Sequence, residues 1–254
     1  MYNDTIIYGI HPVEELLRFR LSSVDHVYFE QEKKSARQFE LMKICRRERL
    51  SYNLVPQVRL QQLTGTQRHQ GIAAQCSVLP YASIEEVNAL IDKKKDPLLL
   101  VPASIEDPGN LGAIIRSAAA LGADALFLER KHTAPLSAAV AKSSAGMVEH
   151  LAVAKPKNLE AILSGYSSRG FHIIGAEMRK GKVPQNVCMT GPTVIILGGE
   201  HRGIPPYLAR LCTEFVSIAM KDAAQSLNVS ATAAILLYEA SRQRSAAGPS
   251  RDEK

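Results

Sequence analysis

The feature that most constrains the fold is an alternation of short apolar runs with helix-like segments over the second part of the chain. The predicted strands span 98–103, 125–129, 150–153, 171–176, 194–198 and 215–218, and the predicted helices span 109–121, 136–144, 158–168 and 225–242. Short buried strands that alternate with helices form a parallel sheet covered on both faces. Residues 97–244 are therefore predicted to form an α/β domain.

The N-terminal segment has a different pattern, which predicts a smaller α/β domain over residues 1–78. VDHVYFE at 24–30 alternates like a strand, 35–49 is helix-like, and QGIAAQCSV at 70–78 is typical of another strand. Residues 79–96 are predicted to be a linker that contains a helix. The polar tail, 245–254, is predicted to be disordered.

Composition narrows the class of protein. Apolar residues make up 46% and charged residues 22%, as in a globular protein, and the net charge of +6 suits a polyanionic partner such as RNA. The cysteines are scattered and form no CxxC pair, so we predict no metal site and expect a reducing cytoplasm. No apolar run approaches 18 residues, so no membrane span is expected, and the first residues lack a basic start followed by an apolar core, so no signal peptide is expected.

Three glycine-containing stretches follow predicted strands, at the edge where parallel sheets bind ligands. The first, IEDPGNLG at 105–112, opens a helix that carries Asn110 and Arg116. One interpretation is a plain strand-to-helix connection with Asn110 near the cap. The other is a pocket that both residues face, with Arg116 as a clamp for phosphate. The stretch lacks GxGxxG, which argues against a nucleotide-dependent oxidoreductase.

The second and third stretches leave similar alternatives open. In VIILGGEHRGI, Gly198 and Gly199 allow close approach of a ligand to the backbone, and Glu200 is either functional or a solvated turn residue. In IAMKDAAQSLNVSATAAILLYE, Ser226 is either a helix N-cap or, with Asn228, a polar group over a ligand.

The order of the three stretches is more specific than any one of them. DPGNLGAIIRSAAALGA, GGEHRGI and SIAM…SLNVSATAAILLYEASRQR together resemble the three motifs of the TrmH (SpoU) family of SPOUT RNA methyltransferases. The opening IIYGIHPVEELL and the later HQGIAA resemble the N-terminal RNA-binding domain of the 23S rRNA 2′-O-ribose methyltransferases of that family, which is similar to a small ribosomal-protein α/β sandwich.

The resemblance implies a C-terminal trefoil-knotted α/β domain that binds S-adenosylmethionine. The backbone around Ala176, Gly198, Ile218 and Leu227 would hold the cofactor. The family's catalytic residues fall on Asn110, Arg116, Glu200, Ser226 and Asn228.

The implied reaction is methyl transfer to a ribose 2′-hydroxyl of structured RNA, with a guanosine of 23S rRNA as the expected acceptor. The reaction requires no metal. Arg116 would be the base, or it would clamp a phosphate while another group takes the proton. The alternatives are a tRNA 2′-O-ribose methyltransferase and a catalytically silent RNA-binding protein on the same fold. The resemblance also implies a homodimer.

We expect residues 1–78 to bind RNA through a group of basic side chains. The alternative is that these side chains only form a solvated face. They are Lys33, Lys34, Arg37, Arg46, Arg47 and Arg49.

This sequence departs from the family pattern in the third motif. Ala219 replaces a usual proline, and Lys221 and Asp222 follow where a glycine is usual, so we expect a looser loop. Met147 occupies a position that is usually small.

Overall fold

The computed structural model describes residues 5–19, 21–32, 35–77, 79–178, 181–199, 202–221 and 226–247. The chain divides into two compact units. The first comprises Met1–Tyr81 and Pro135–Ala138, and the second comprises Ala82–Ala134 and Ala139–Lys254. No helix among the described residues is long and apolar enough to cross a membrane.

The first unit is a four-stranded mixed sheet with helices. Its elements are β1 (Thr5–Tyr8), α1 (Ile10–Phe19), β2 (Val24–Glu30), α2 (Ala36–Arg47), β3 (Ser51–Val55), α3 (Gln57–Thr64) and β4 (Ile72–Cys76). The strand order is β1-β4-β2-β3, and only β2 and β3 run parallel. Strand β2 has the predicted bounds, and its alternate residues Val27 and Phe29 are fully buried in the core. The α/β class predicted for this region is confirmed.

The second unit contains a six-stranded sheet. Its elements are α4 (Ile84–Ile91), β5 (Leu98–Pro102), α5 (Pro108–Ala120), β6 (Ala125–Phe127), α6 (Ala138–Ser143, which begins in the first unit), β7 (Ala152–Ala154), α7 (Leu159–Ser168), β8 (His172–Ala176), β9 (Thr193–Leu197), α8 (Pro206–Ala209), β10 (Glu214–Val216) and α9 (Val229–Ala246). The order is β10-β8-β9-β5-β6-β7 and every pairing is parallel, which confirms the predicted parallel sheet.

Buried apolar residues explain why the central strands form there. Every residue of β5 and of β9 is buried, as expected for parallel strands covered on both faces. Helix α4 packs on β7, so the segment expected to be a linker contributes a helix to this unit. Helix α9 continues to Ala246, into the predicted tail, and residues 248–254 lie outside the described residues.

Two of the predicted element starts were wrong for local reasons. Residues Met147–His150 form a 3₁₀ turn, so the strand predicted at 150 begins at Ala152. Asp107 caps α5 by accepting a hydrogen bond from the Asn110 backbone N–H, so Asn110 lies near the cap, as one of the two interpretations expected. The helix predicted from 225 begins at Val229 because Asn228, and not Ser226, is its N-cap.

Candidate functional site

A cavity of about 380 Å³ lies at the carboxyl ends of β8, β9 and β10. Its described lining residues are Ala176, Glu177, Met178, Leu197, Gly198, Gly199, Gly203, Ile204, Val216, Ile218, Met220, Ser226, Leu227, Val229, Thr232 and Leu236. The four residues predicted to hold the cofactor all line this one cavity, although they come from four separate stretches of the chain. The volume falls within the roughly 300–1,000 Å³ typical of small-molecule sites.

Backbone forms one wall of this cavity because two glycines pack without room for a side chain. A Cβ on Gly198 would lie 2.4 Å from the carbonyl carbon of Gly203, and one on Gly199 would lie 2.3 Å from the Ser104 carbonyl oxygen. The Gly203 N–H donates to the Gly199 carbonyl at 2.9 Å and closes a tight turn. Glu200, which lies between these two glycines in the sequence, is outside the described residues.

The remaining walls are mainly apolar. Among the described lining residues, only Glu177 carries a charge, and Ser226 and Thr232 add hydroxyl groups. Cys212 lies behind β8, and burial raises the pKa of its thiol to about 12, so it stays neutral at physiological pH. The described lining therefore suits a ligand with a largely apolar surface whose polar groups can be recognised by the backbone.

A second cavity of about 430 Å³ shares Val229 with the first. Its other described lining residues are Ser104, Ile105, Glu106, Asp107, Asn110 and Arg202. The Asn228 side-chain amide donates to the Asn110 side-chain oxygen at 2.9 Å, so the structure joins two of the predicted catalytic residues. Asn228 also accepts hydrogen bonds from the Ser230 backbone N–H at 2.8 Å and from its hydroxyl at 2.6 Å. Both amides are thus fixed at helix starts.

Arg116 is not among the residues that line either cavity. It is exposed on α5 and has no hydrogen-bond or ion-pair partner among the described residues. Six positions along an α-helix rotate a side chain by roughly 240°, so Asn110 and Arg116 lie on different faces. The expectation that both face one pocket of the same chain is therefore not met.

Two residues that shape this region were not predicted from the sequence. Gly112 lies where α5 contacts the end of α6, since a Cβ there would lie 1.9 Å from the Ser143 hydroxyl oxygen. Glu129 is buried beside the second cavity and contacts Ser104 and Tyr207. Glu129 could have been noticed because it is a charged residue at the end of the apolar run ALFL. Gly112 could have been noticed only because it is a glycine within a predicted helix.

Comparison with known proteins agrees with this architecture. Residues 97–238 match the model of the SpoU rRNA methylase family, and residues 6–82 match the model described as RNA 2′-O ribose methyltransferase substrate binding. The 23S rRNA (guanosine-2′-O-)-methyltransferase RlmB of Ralstonia nicotianae is 32% identical, over 96% of this chain and 98% of that protein. The protein of the same name from Nitrosomonas europaea is 33% identical, over 96% of this chain and 94% of its own length.

A solved structure shows the same fold. The SpoU methyltransferase AviRb from Streptomyces viridochromogenes, crystallised with the cofactor AdoMet, aligns with a TM-score of 0.58 at 24% identity, over 96% of this chain and 92% of that one. The class of protein is an RNA methyltransferase with a separate substrate-binding domain. The chain belongs to the SpoU rRNA methylase family.

Proposed function

We propose that this protein transfers a methyl group from S-adenosylmethionine to a guanosine ribose 2′-hydroxyl of 23S rRNA in the cytoplasm. The observation that carries the proposal is the glycine-walled cavity beside the Asn110–Asn228 pair. Similarity over nearly the whole chain to two proteins named 23S rRNA (guanosine-2′-O-)-methyltransferase supports the choice of substrate.

The first cavity fits the cofactor. Backbone at Gly198 and Gly199 can approach an adenosine closely, and Ile218 and Leu227 offer apolar surface to a planar base. Ala176 completes the set that we propose to hold S-adenosylmethionine, which supplies an electrophilic methyl group when bound. The insertion of β9 between β8 and β5 supports our further proposal that the chain after Gly170 is knotted.

We assign the acceptor ribose to the second cavity. The Asn110–Asn228 pair is fixed by a helix cap, so it can orient a hydroxyl without reorganising. Ser226, at the edge of the first cavity, would shape the boundary between the two ligands. Glu200 stays in the proposed set by its place in the second motif. A guanidinium keeps its proton across the ordinary pH range, so we assign Arg116 to the phosphate beside the ribose.

The exposure of Arg116 favours a homodimer in which this residue reaches the cavity of the neighbouring subunit. Helix α9 offers a surface for the contact, because its Ile235 and Tyr238 side chains are 39% and 62% exposed. A two-fold pair is also the commonest symmetric assembly. Each site would then combine Asn228 of one protomer with Arg116 of the other.

Co-expression of two inactive variants tests this arrangement. As homodimers, Arg116→Ala should lose methyl transfer and Asn228→Ala should lose most of it, while both retain S-adenosylhomocysteine binding. Their mixed dimer should recover activity, because one of its two sites has both side chains. No recovery in a mixed dimer verified by mass would place Arg116 and Asn228 in the same chain's site. Arg116→Lys tests the clamp, since lysine keeps the charge and loses the planar fork.

Fewer basic side chains of the first unit are available to RNA than the sequence suggested, because two of the arginines are paired with carboxylates. Arg37 is ion-paired with Glu14, and Arg47 contacts Glu48 at 3.0 Å. Arg46 and Arg49 have no carboxylate partner among the described residues, so we assign RNA contacts to them. Lys33 and Lys34 lie outside the described residues and stay in the proposed set.

Mapping ribose methylation in total RNA from a strain that lacks this gene tests the function. We expect one guanosine of 23S rRNA to lose its 2′-O-methyl group, and the wild-type gene to restore it. Loss of a tRNA methyl group instead would identify a tRNA enzyme. Unchanged methylation of every RNA would favour a silent RNA-binding protein.

A further inference from the structure

A buried carboxyl group holds an unusual backbone conformation next to the candidate site. Ser104, just after β5, has a left-handed φ of 56°, which is uncommon for a residue other than glycine. Its backbone N–H donates to Glu129 Oε2 at 2.6 Å. Glu129 is only 8% exposed, and its Oε1 accepts a hydrogen bond from the Tyr207 hydroxyl. Glu129 therefore links the loop after β5 to helix α8.

Each linked segment borders a cavity. Ser104 lines the second cavity, and its carbonyl oxygen packs against Gly199, which lines the first. Tyr207 lies in α8, three residues after Ile204, which also lines the first cavity. The loop that begins at Ser104 continues to Asp107, the residue that caps α5. One side chain thus fixes both the acceptor side and the cofactor side of the proposed site.

We propose that Glu129 is a positioning residue that sets the relative placement of the cofactor and the acceptor ribose, an inference that rests on the proposed methyl transfer. Glu129 lines neither cavity, so it acts through Ser104 and Tyr207 and not on a ligand. Methyl transfer requires alignment of the acceptor oxygen with the methyl group, and a displacement of about 1 Å costs on the order of a hundredfold in rate.

Two substitutions at Glu129 test whether its two hydrogen bonds are required: one variant keeps both hydrogen bonds and the other removes both. In Glu129→Gln, the amide oxygen still accepts from the Ser104 N–H and the amide nitrogen donates to the Tyr207 oxygen, so activity should stay within about threefold of wild type. Glu129→Leu removes both links and should lower kcat by roughly tenfold to a hundredfold. Its affinity for S-adenosylhomocysteine should fall less, by about threefold to tenfold, because Glu129 reaches that cavity only indirectly, through Gly199 beside Ser104 and through Ile204, three residues before Tyr207.

A matched pair of tyrosine variants distinguishes the loss of the Glu129 link from the loss of any buried tyrosine hydroxyl. Tyr207→Phe removes one of the two links and should lower kcat less than Glu129→Leu does. Tyr166→Phe removes the hydrogen bond to Asn88, 2.9 Å long, from the same unit, and it should change neither kcat nor S-adenosylhomocysteine affinity. Equal effects of the two tyrosine variants would contradict the positioning role.

Hydrogen exchange measured without RNA gives the deciding test. In Glu129→Leu, peptides that cover 103–112 and 202–209 should exchange faster, while the peptide of β8 should be unchanged. If Glu129→Leu exchanges like wild type in both loops and keeps the wild-type kcat, the inference is overturned. It is also overturned if exchange in Glu129→Leu is faster throughout the protein while kcat per folded molecule is unchanged. If the wild-type protein methylates no RNA, the proposed function fails separately, and the exchange and binding data still report whether Glu129 sets the two loops.

Discussion

The second unit builds its candidate site from backbone packed on backbone, whereas the RNA surface that we propose for the first unit consists of long charged side chains. Gly198 tolerates no Cβ because the neighbouring turn is too close. Arg37, by contrast, is drawn into an ion pair with Glu14 within its own unit. A site built from backbone requires positions without a side chain, so glycines in the sequence indicate where it lies. Whether an arginine is available to RNA depends on which carboxylate it pairs with in the fold, and the sequence alone does not show that pairing.

The largest effect should come from closing the backbone wall. Gly198→Ala places a Cβ within 2.4 Å of the Gly203 backbone, and overpacking of about 1–3 kcal/mol should lower S-adenosylhomocysteine affinity by roughly tenfold to a hundredfold. Calorimetric titration measures this. The matched control is Gly165→Ala on α7, where a Cβ meets nothing within 4 Å, and its affinity should equal that of wild type. Equal affinities of the two variants would contradict a backbone-built wall.

The next effect should come from the amide pair. Asn228→Ala loses both the cap of α9 and the hydrogen bond to Asn110, so methyl transfer should fall by roughly tenfold to a hundredfold. Asn228→Asp keeps the capping oxygen but cannot donate to Asn110. If orientation of the acceptor matters, Asn228→Asp should be nearly as slow as Asn228→Ala in single-turnover assays while regaining its thermal stability. Wild-type rates in Asn228→Asp would show that the pair serves only the cap.

The pattern of buried strands predicted the parallel sheet, and the resemblance to the TrmH (SpoU) family predicted the residues that share the first cavity. Ala176, Gly198 and Ile218 end predicted strands, and parallel strands bring their carboxyl ends to one edge, whereas Leu227 lay inside a predicted helix and came from the resemblance alone. The face of Arg116 was not predicted, since it depends on the angular position along α5. Glu129 was missed because its partners are 25 and 78 residues away.

A smaller effect is expected at Gly112, where two helices of the second unit touch. In Gly112→Ala the new Cβ would lie 2.8 Å from the Ser143 Cβ and 2.9 Å from the Ser144 backbone nitrogen. The clash should lower the free energy of unfolding by about 1–3 kcal/mol, measured by urea denaturation. Adding Ser143→Gly should restore part of the loss, because it removes the nearer side chain. An unchanged midpoint in Gly112→Ala would refute the close contact.

In the first unit, the two classes of arginine should behave differently. Arg46→Ala should weaken binding of structured RNA by a few fold and lower the slope of log affinity against log salt by about 1, as expected for one lost phosphate contact. Arg37→Ala should change RNA affinity less, because Arg37 is paired with Glu14. Filter binding at several salt concentrations measures both. A larger loss in Arg37→Ala would show that the ion pair opens to take RNA.

The smallest effect concerns pH. The hydrogen bond from Arg37 lowers the pKa of the Glu14 carboxyl below its usual value of 4.5. Since the folded pKa is depressed, the pair's contribution is full above the pKa of the unfolded chain and is lost as pH falls through the folded pKa. The stability difference between wild type and Arg37→Ala should therefore be constant near pH 7 and shrink below about pH 4. A difference that grows in acid would contradict the pairing.

The most direct test of the central claim is methyl transfer by the purified protein. It would be incubated with S-adenosylmethionine carrying a labelled methyl group and with 23S rRNA from a strain that lacks the gene, and the RNA digested to nucleosides for mass spectrometry. We expect about one label per 23S molecule, recovered as 2′-O-methylguanosine, and at a limiting cofactor concentration we expect slower labelling by Gly198→Ala but not by Gly165→Ala. Label on a base, or no transfer by a protein that binds S-adenosylhomocysteine, would contradict it.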